Sequence, residues 1–272
     1  MKTEFTVCVL DSGIGGLPYL QAIQEALPNQ SLIYLSDSQF FPYGEKEPQE
    51  LRDRLRELLQ WVLQSYSVRV CVVACNTASV VALDFLRESF PFVTFVGVVP
   101  AVKPAVSMGL SPVVVLATRR TVEDPYLDSL VQLFAHDVDV VPIGAGELVE
   151  FIEHQLYKPS DPRVLLQPIA KKIQDVGAKV VVLGCTHFLH ISTELADALG
   201  NTIEVVDSRD GVARQTARVC RKIYSDNSTL DSQQRADHIT WYSTGEKPGK
   251  EQMHVHQSIA KHFHLQPEWV KI

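Results

Sequence analysis

The chain has 272 residues, 46% of them hydrophobic and 21% charged, with a formal net charge of −7. That composition excludes broad disorder, and the length suffices for one large domain or two compact α/β lobes. The acidic balance and the lack of any dense Lys/Arg run exclude wholesale binding to nucleic acid or anionic membrane, but not an anionic small molecule, for which a few local donors suffice.

The first apolar run, 5–10, predicts a strand. It is too short and too poorly flanked for a signal peptide, and no stretch of the sequence is long enough to span a bilayer, so a cytoplasmic protein is expected. Asp11-Ser12-Gly13-Ile14-Gly15-Gly16 follows at once. Glycines there let backbone N–H groups approach an anion at a helix start, yet the run matches neither a dinucleotide fingerprint nor a phosphate loop ending in Lys-Ser/Thr. Two readings stay open: a tight turn in which Asp11 or Ser12 caps the next helix, and a site in which the Asp11 carboxylate orients or shares a proton with a neighbour. A strand at 32–36 leads into Asp37-Ser38-Gln39-Phe40-Phe41-Pro42-Tyr43-Gly44. This is either a Pro/Gly turn anchored by tyrosine or a substrate rim whose amides at Tyr43 and Gly44 contact a carboxylate.

Residues 48–65 place Leu51, Leu55, Leu58, Leu59 and Val62 on one stripe, which predicts an amphipathic helix. Strands at 69–74, 93–98, 112–117, 138–142, 179–184 and 203–206 then alternate with helices at 77–89, 121–135, 162–175 and 208–225. Several of these strands are continuous Val/Ile/Leu runs, the pattern of strands buried on both faces. The expected fold class is therefore α/β with mostly parallel sheets flanked by helices. Val98–Lys103 reads as a crossing between lobes and Asp207–Gly211 as the return, so that 1–98 plus 208–272 form one lobe and 99–207 the other. The tail, 238–272, reads as strand, polar turn (Thr244–Gly249), helix and short end strand.

Five cysteines, an odd number in a long chain, argue against a disulfide framework. Cys8 and Cys71 lie in apolar runs and Cys220 in a helical pattern, all consistent with buried core thiols. The other two share one plan: Val72-Val73-Ala74-Cys75-Asn76-Thr77 and Val182-Leu183-Gly184-Cys185-Thr186-His187. Each is a buried strand, a small residue, a cysteine and then hydrogen-bonding residues where a helix should begin, and the carboxyl end of a parallel strand is where ligands bind in such sheets. A helix N-terminus also favours a thiolate. No CxxC or HxxxH spacing supports a zinc site from Cys75, Cys185 and His187, or a redox pair. A Cys–His hydrolase does not need a second thiol. Two equivalent thiols suit a reaction with two faces, in which one base removes a proton from carbon and the other returns one.

With these residues assembled, the sequence closely resembles the glutamate racemases of the aspartate/glutamate racemase superfamily. The resemblance rests on Asp11-Ser12-Gly13-Ile14-Gly15-Gly16-Leu17, Pro42-Tyr43-Gly44, Ala74-Cys75-Asn76-Thr77-Ala78 and Leu183-Gly184-Cys185-Thr186-His187. Weaker matches are Thr118 and Thr121, Glu153, Asp207-Ser208 and the Ser243-Thr244-Gly245 turn. The resemblance implies two pseudo-symmetric lobes with the active site in the cleft between them, a homodimer, and interconversion of L- and D-glutamate without pyridoxal phosphate or metal, supplying D-glutamate for peptidoglycan and hence cell shape. It implies that Cys75 deprotonates D-glutamate and Cys185 L-glutamate, with Asp11 supporting Cys75, His187 supporting Cys185, and Glu153 assisting His187. It further implies that Ser12, Pro42, Tyr43, Gly44, Asn76, Thr77, Thr118, Thr121 and Thr186, with Asp11 and His187, hold the substrate.

The chain departs from the family pattern at Arg119-Arg120, where smaller residues are usual, at Leu189 and His190 after the Cys-Thr-His motif, and at Glu150 in place of a common proline. Arg119 and Arg120 are either solvated surface charges or a bias of the site toward anions. The chain begins a few residues before its first strand, so the N-terminal extension of precursor-activated members is expected to be missing. Rival readings are a sister racemase acting on aspartate and a non-catalytic binding protein for a dicarboxylate.

Overall fold

A computed structural model describes residues 5–155, 161–226, 238–247 and 263–272, with side chains described to residue 153 in the first of these segments. The chain divides into two compact units, Met1–Val98 with Arg209–Ile272, and Val99–Ser208.

In the first unit the elements run β1 (Thr6–Asp11), α1 (Leu17–Ala26), β2 (Leu32–Ser36), α2 (Pro48–Ser65), β3 (Val68–Val73), α3 (Asn76–Ser89) and β4 (Thr94–Gly97). The second unit holds α4 (Val102–Val106), β5 (Val113–Ala117), α5 (Arg119–Val122), α6 (Pro125–Phe134), β6 (Val140–Gly144), α7 (Glu147–Gln155), α8 (Arg163–Asp175), β7 (Val180–Gly184), α9 (Ser192–Ala198) and β8 (Glu204–Val206). The chain then returns to the first unit with α10 (Arg209–Asp226), β9 (Ile239–Thr244) and β10 (Pro267–Val270).

The first sheet has the order β10-β9-β2-β1-β3-β4 and the second β6-β5-β7-β8, every described pair parallel. This is the expected α/β class. Its cause is visible in β1 and β3, whose runs Val7-Cys8-Val9-Leu10 and Val70-Cys71-Val72-Val73 are buried on both faces. A parallel sheet must be roofed on both sides, and α2 supplies one roof: Leu51, Leu55, Leu58, Leu59 and Val62 are all buried and pack with Cys8, Leu10, Cys71 and Val73. In the second unit Val113, Val115, Ala117, Val180 and Val182 form the corresponding core with Val102 and Leu127. No helix among the described residues is long and apolar enough to cross a membrane.

Two local expectations need correction. The helix expected at 121–135 is two helices, because the Asp124 side chain accepts from the Tyr126 N–H at 2.9 Å and Pro125 starts a new helix at its first position. Proline has no N–H to continue an earlier ladder but suits the first turn of a new one. Cys185 does not precede an α-helix: Thr186–Ile191 is a 3-10 turn, followed by α9. The strand and end strand expected in the tail are β9 and β10, whereas the helix expected between them lies outside the described residues.

Parallel pairing places the carboxyl ends of neighbouring strands at one edge. In the first sheet Asp11 pairs with Ser36 and Leu10 with Val73, which aligns the loops beginning at Ser12, Asp37 and Ala74. In the second, Ala117 pairs with Gly184, so Thr118 and Cys185 follow adjacent strand ends. Each sheet therefore gathers its chemistry-bearing residues at the edge where α/β proteins bind ligands.

Candidate active site

The candidate residues of the first unit begin at Asp11, wholly buried at the end of β1. Its Oδ1 accepts from the Gly13 N–H at 3.0 Å and the Ser12 hydroxyl at 3.4 Å. Neither residue caps α1, whose N-cap is Gly16 with no side-chain capping bond, so the capping reading of the loop falls away. The Tyr34 hydroxyl from β2 pins the loop instead, accepting from the Gly16 N–H at 3.1 Å and donating to the Gly13 carbonyl at 2.6 Å. Glycine at 16 follows from this closeness: a Cβ there would stand 2.9 Å from both the Asp11 Cβ and the Tyr34 hydroxyl.

Cys75 is the N-cap of α3 in extended backbone, one position beyond Ala74, whose N–H donates to the Leu10 carbonyl at 2.7 Å. The Cys75 thiol and the Asp11 carboxylate thus belong to adjacent strand ends. Ser12, Asn76 and Thr77 are buried beside them. Asn76 stands out, because both its side-chain Nδ2 and Oδ1 are buried without a hydrogen-bond partner. An unsatisfied buried polar group costs about 1–3 kcal/mol, and a donor and acceptor kept idle together mark a place that a polar ligand completes.

Tyr43 opens a 3-10 turn at Tyr43–Glu45, where the Glu45 N–H donates to the Pro42 carbonyl and the Lys46 N–H to the Tyr43 carbonyl. A helical start of this kind leaves the N–H groups of Tyr43 and Gly44 without an intrahelical acceptor. The Tyr43 side chain is buried and donates to Asp37 Oδ2 at 2.9 Å. Burial pushes the phenol well above its ordinary range, and the Asp37 carboxylate and the Cys75 sulfur push the same way against a smaller pull from Arg54. Tyr43 is therefore a fixed hydrogen-bond donor and not a base.

The candidate residues of the second unit are built on β5 and β7. Cys185 directly follows β7. His187, two residues on, is buried and meets Glu153 of α7, with Nε2 and Oε2 at 2.9 Å. Burial alone would hold the imidazole neutral, but hydrogen bonds to Cys185 and Glu153, and the electrostatic pull of that side of the pocket, outweigh it and raise the His187 pKa well above its ordinary value. Glu153, His187 and Cys185 thus form one hydrogen-bonded chain in which the imidazole is biased toward its protonated form. Thr118 caps α5 and shares a hydroxyl contact of 3.0 Å with Thr121, while Thr186 is buried next to Cys185.

Each unit therefore collects its own set: Asp11, Ser12, Pro42, Tyr43, Gly44, Cys75, Asn76 and Thr77 in the first, and Thr118, Thr121, Glu153, Cys185, Thr186 and His187 in the second. Arg119 is a surface charge, 84% exposed and paired with Glu123 at 2.8 Å. Glu150 is exposed on α7, Leu189 is buried and His190 half-buried. Among the described residues no three His, Cys, Asp or Glu side chains converge as a metal-binding group. Sequence reasoning did not single out Tyr34, Arg54 or the Asp37 carboxylate. For Arg54 a signal existed: it lies on the apolar stripe of α2 beside Leu51, Leu55 and Leu58, where a charge requires a buried partner.

The sequence pattern of the family described as Asp/Glu/hydantoin racemase matches residues 15–216. A glutamate racemase of Proteus mirabilis is 41% identical over 217 residues, covering 78% of this chain and 75% of that protein. A glutamate racemase of Salmonella typhimurium is 39% identical over 253 residues, covering 91% and 86% respectively. Among solved structures, that of Escherichia coli glutamate racemase in complex with L-glutamate and the activator UDP-MurNAc-ala superposes with a TM-score of 0.85 at 33% identity, covering 99% of this chain and 98% of that one.

Proposed function

Because this chain belongs to the Asp/Glu/hydantoin racemase family, we propose that it interconverts L- and D-glutamate, with Cys75 and Cys185 as the two bases. One observation carries the reading. These two thiols, each 7% exposed, end corresponding parallel strands, whereas Cys8, Cys71 and Cys220 are at 0%. A thiol at the rim of its core can meet a substrate, and one sealed in the core cannot.

In this reading the Cys75 thiolate takes the α-proton of D-glutamate, leaving the electron pair on the α-carbon and its carboxylate. The Cys185 thiol then delivers a proton to the opposite face and ends as thiolate, and L-glutamate reacts by the reverse sequence. An imidazolium at His187, held by Glu153, is the counter-charge that a Cys185 thiolate requires. Developing negative charge on the α-carboxylate needs fixed donors, and the idle Asn76 amide with the hydroxyls of Ser12, Thr77 and Thr186 is suited to supply them. The N–H groups of Tyr43 and Gly44 serve the distal carboxylate, Thr118 and Thr121 complete the polar wall, and Asp11 favours the substrate's ammonium form beside Cys75. No pyridoxal phosphate or metal takes part. The D-glutamate formed supplies peptidoglycan synthesis in the cytoplasm, and the enzyme acts as a homodimer, an assembly that sedimentation of the purified protein tests.

The test is the decay of circular dichroism of pure L-glutamate and, separately, of pure D-glutamate, with EDTA present and no pyridoxal phosphate added. Loss of signal from both is expected. A steady signal from both, or decay with aspartate alone, overturns the assignment.

A further inference from the structure

The Asp37 carboxylate and the Ser243-Thr244-Gly245 turn have no part in the chemistry above, yet they meet. Asp37 follows β2 with its side chain wholly buried. Its Oδ1 accepts from Arg54 Nη2 at 2.7 Å and from Thr244 Oγ1 at 2.6 Å. Its Oδ2 accepts from Arg54 Nε at 3.0 Å and from the Tyr43 hydroxyl at 2.9 Å. Around this centre the Thr244 hydroxyl accepts from the Gln39 N–H at 3.1 Å, the Ser38 and Ser243 hydroxyls lie 2.9 Å apart, and Arg54 Nη1 donates to the Ile272 carbonyl at 2.9 Å. The Asp37 N–H itself donates to the Asp11 carbonyl at 2.9 Å.

A single carboxylate therefore ties the end of β9 and the middle of α2 to the turn that begins at Tyr43, while the backbone of Asp37 joins the ends of β1 and β2. A buried ion pair is weak evidence for stability in itself, since an apolar substitute of the same volume is often as good. What an apolar substitute cannot reproduce is direction. Four donors fix the carboxylate, and through the phenol they fix the backbone of Tyr43 and Gly44, in a site that must hold its geometry to about 0.5 Å. We infer that Asp37, clamped by Arg54 and Thr244, is a positioning device that aims the Tyr43–Gly44 amides and so sets the affinity for the substrate's distal carboxylate. In that role Asp37, Arg54 and Thr244 act through Tyr43 and are positioning residues. The inference rests on the glutamate reading for the identity of the ligand, but not for the ordering of the turn.

The test compares Thr244→Val with Thr244→Ser. Valine keeps the shape and strand preference of threonine but can neither donate to Asp37 nor accept from Gln39, whereas serine can do both. Two quantities are read: KM and kcat for L- and D-glutamate, and amide hydrogen exchange at Glu45 and Lys46, whose N–H groups close the turn. In Thr244→Val, KM is expected to rise about tenfold for both enantiomers, the worth of one lost buried hydrogen bond, with kcat changed less than about threefold. Exchange at Glu45 and Lys46 is expected to quicken, and Thr244→Ser is expected to restore both quantities. Unchanged KM and exchange in Thr244→Val, or equal damage in Thr244→Ser, overturns the inference. If the unaltered protein does not racemise glutamate, the function proposed above fails, while the exchange comparison still decides whether the turn is positioned in this way. Should Thr244→Val not fold, Tyr43→Phe removes another donor of the same centre, and wild-type exchange at Glu45 and Lys46 in that variant also overturns it.

Discussion

His187 Nε2 lies 2.9 Å from Glu153 Oε2, a buried contact between a residue just past β7 and one on α7. Burial alone would lower the imidazole's pKa, and it is raised instead by the hydrogen bond to Cys185 and by this contact. Glu153→Gln removes the negative charge and keeps the shape. Its kcat/KM is expected to fall about tenfold, with the alkaline limb of the pH profile moving to lower pH, because His187 then loses its proton sooner. An unmoved alkaline limb would separate His187 from the chemistry.

The same contact has a signature in stability. A histidine whose folded pKa is raised contributes stability that is fully present below its unfolded pKa, about 6.5, and is lost as pH rises through the folded value. Unfolding free energy by urea should therefore decline above pH ~6.5 more steeply in the unaltered protein than in Glu153→Gln. Parallel pH dependences would refute the raised pKa of His187.

Asn76 should show opposite effects on folding and function. Asn76→Ala removes two buried polar atoms that have no partner in the free protein. Stability is expected to hold or to rise by about 1 kcal/mol, while kcat/KM falls about tenfold or more. A marked loss of stability, measured by urea unfolding, would mean that the amide has a structural role.

Leu58 reports on the core of the first unit. It is fully buried among Leu55, Leu59 and the strands of the first sheet. Leu58→Ala should cost about 2–5 kcal/mol, read from the shift of the urea midpoint at constant slope.

The strands were legible because their burial is written in composition: a run such as Val7-Cys8-Val9-Leu10 has no polar face to offer water. The helix α2 was legible for the complementary reason, a stripe of leucines at helical spacing. The two cysteine loops stood out because small and polar residues interrupt such runs at the same point. Partnerships between distant residues were not legible. Arg54 and Asp37 are 17 positions apart, and His187 and Glu153 are 34 apart on different elements; no periodicity links them, and Glu153 drew notice only through family resemblance. Turn chemistry also outweighed pattern. The apolar spacing of 121–135 suggested one helix, but Asp124-Pro125 ends one and begins another. After Cys185, hydrogen-bonding residues suggested an α-helix where the backbone makes a 3-10 turn.

Removal of either thiol should be decisive for activity and nearly silent for folding. Cys75→Ala and Cys185→Ala are each expected to lower racemisation by at least about 10³-fold, with stability changed by about 1 kcal/mol or less, since both sulfurs lie at the rim of their cores. Near-normal turnover in either variant would refute the two-thiol mechanism.

The central claim is that different groups remove and return the proton, and isotope distribution tests it most directly. L-glutamate is incubated with the enzyme in D2O, and both enantiomers are analysed at low conversion. Two bases predict D-glutamate carrying deuterium at the α-carbon, because the returning thiol has exchanged with solvent, while the remaining L-glutamate keeps its α-hydrogen. Deuterium appearing equally in recovered L-glutamate and product, or D-glutamate retaining the original hydrogen, would contradict the account and point to a single base.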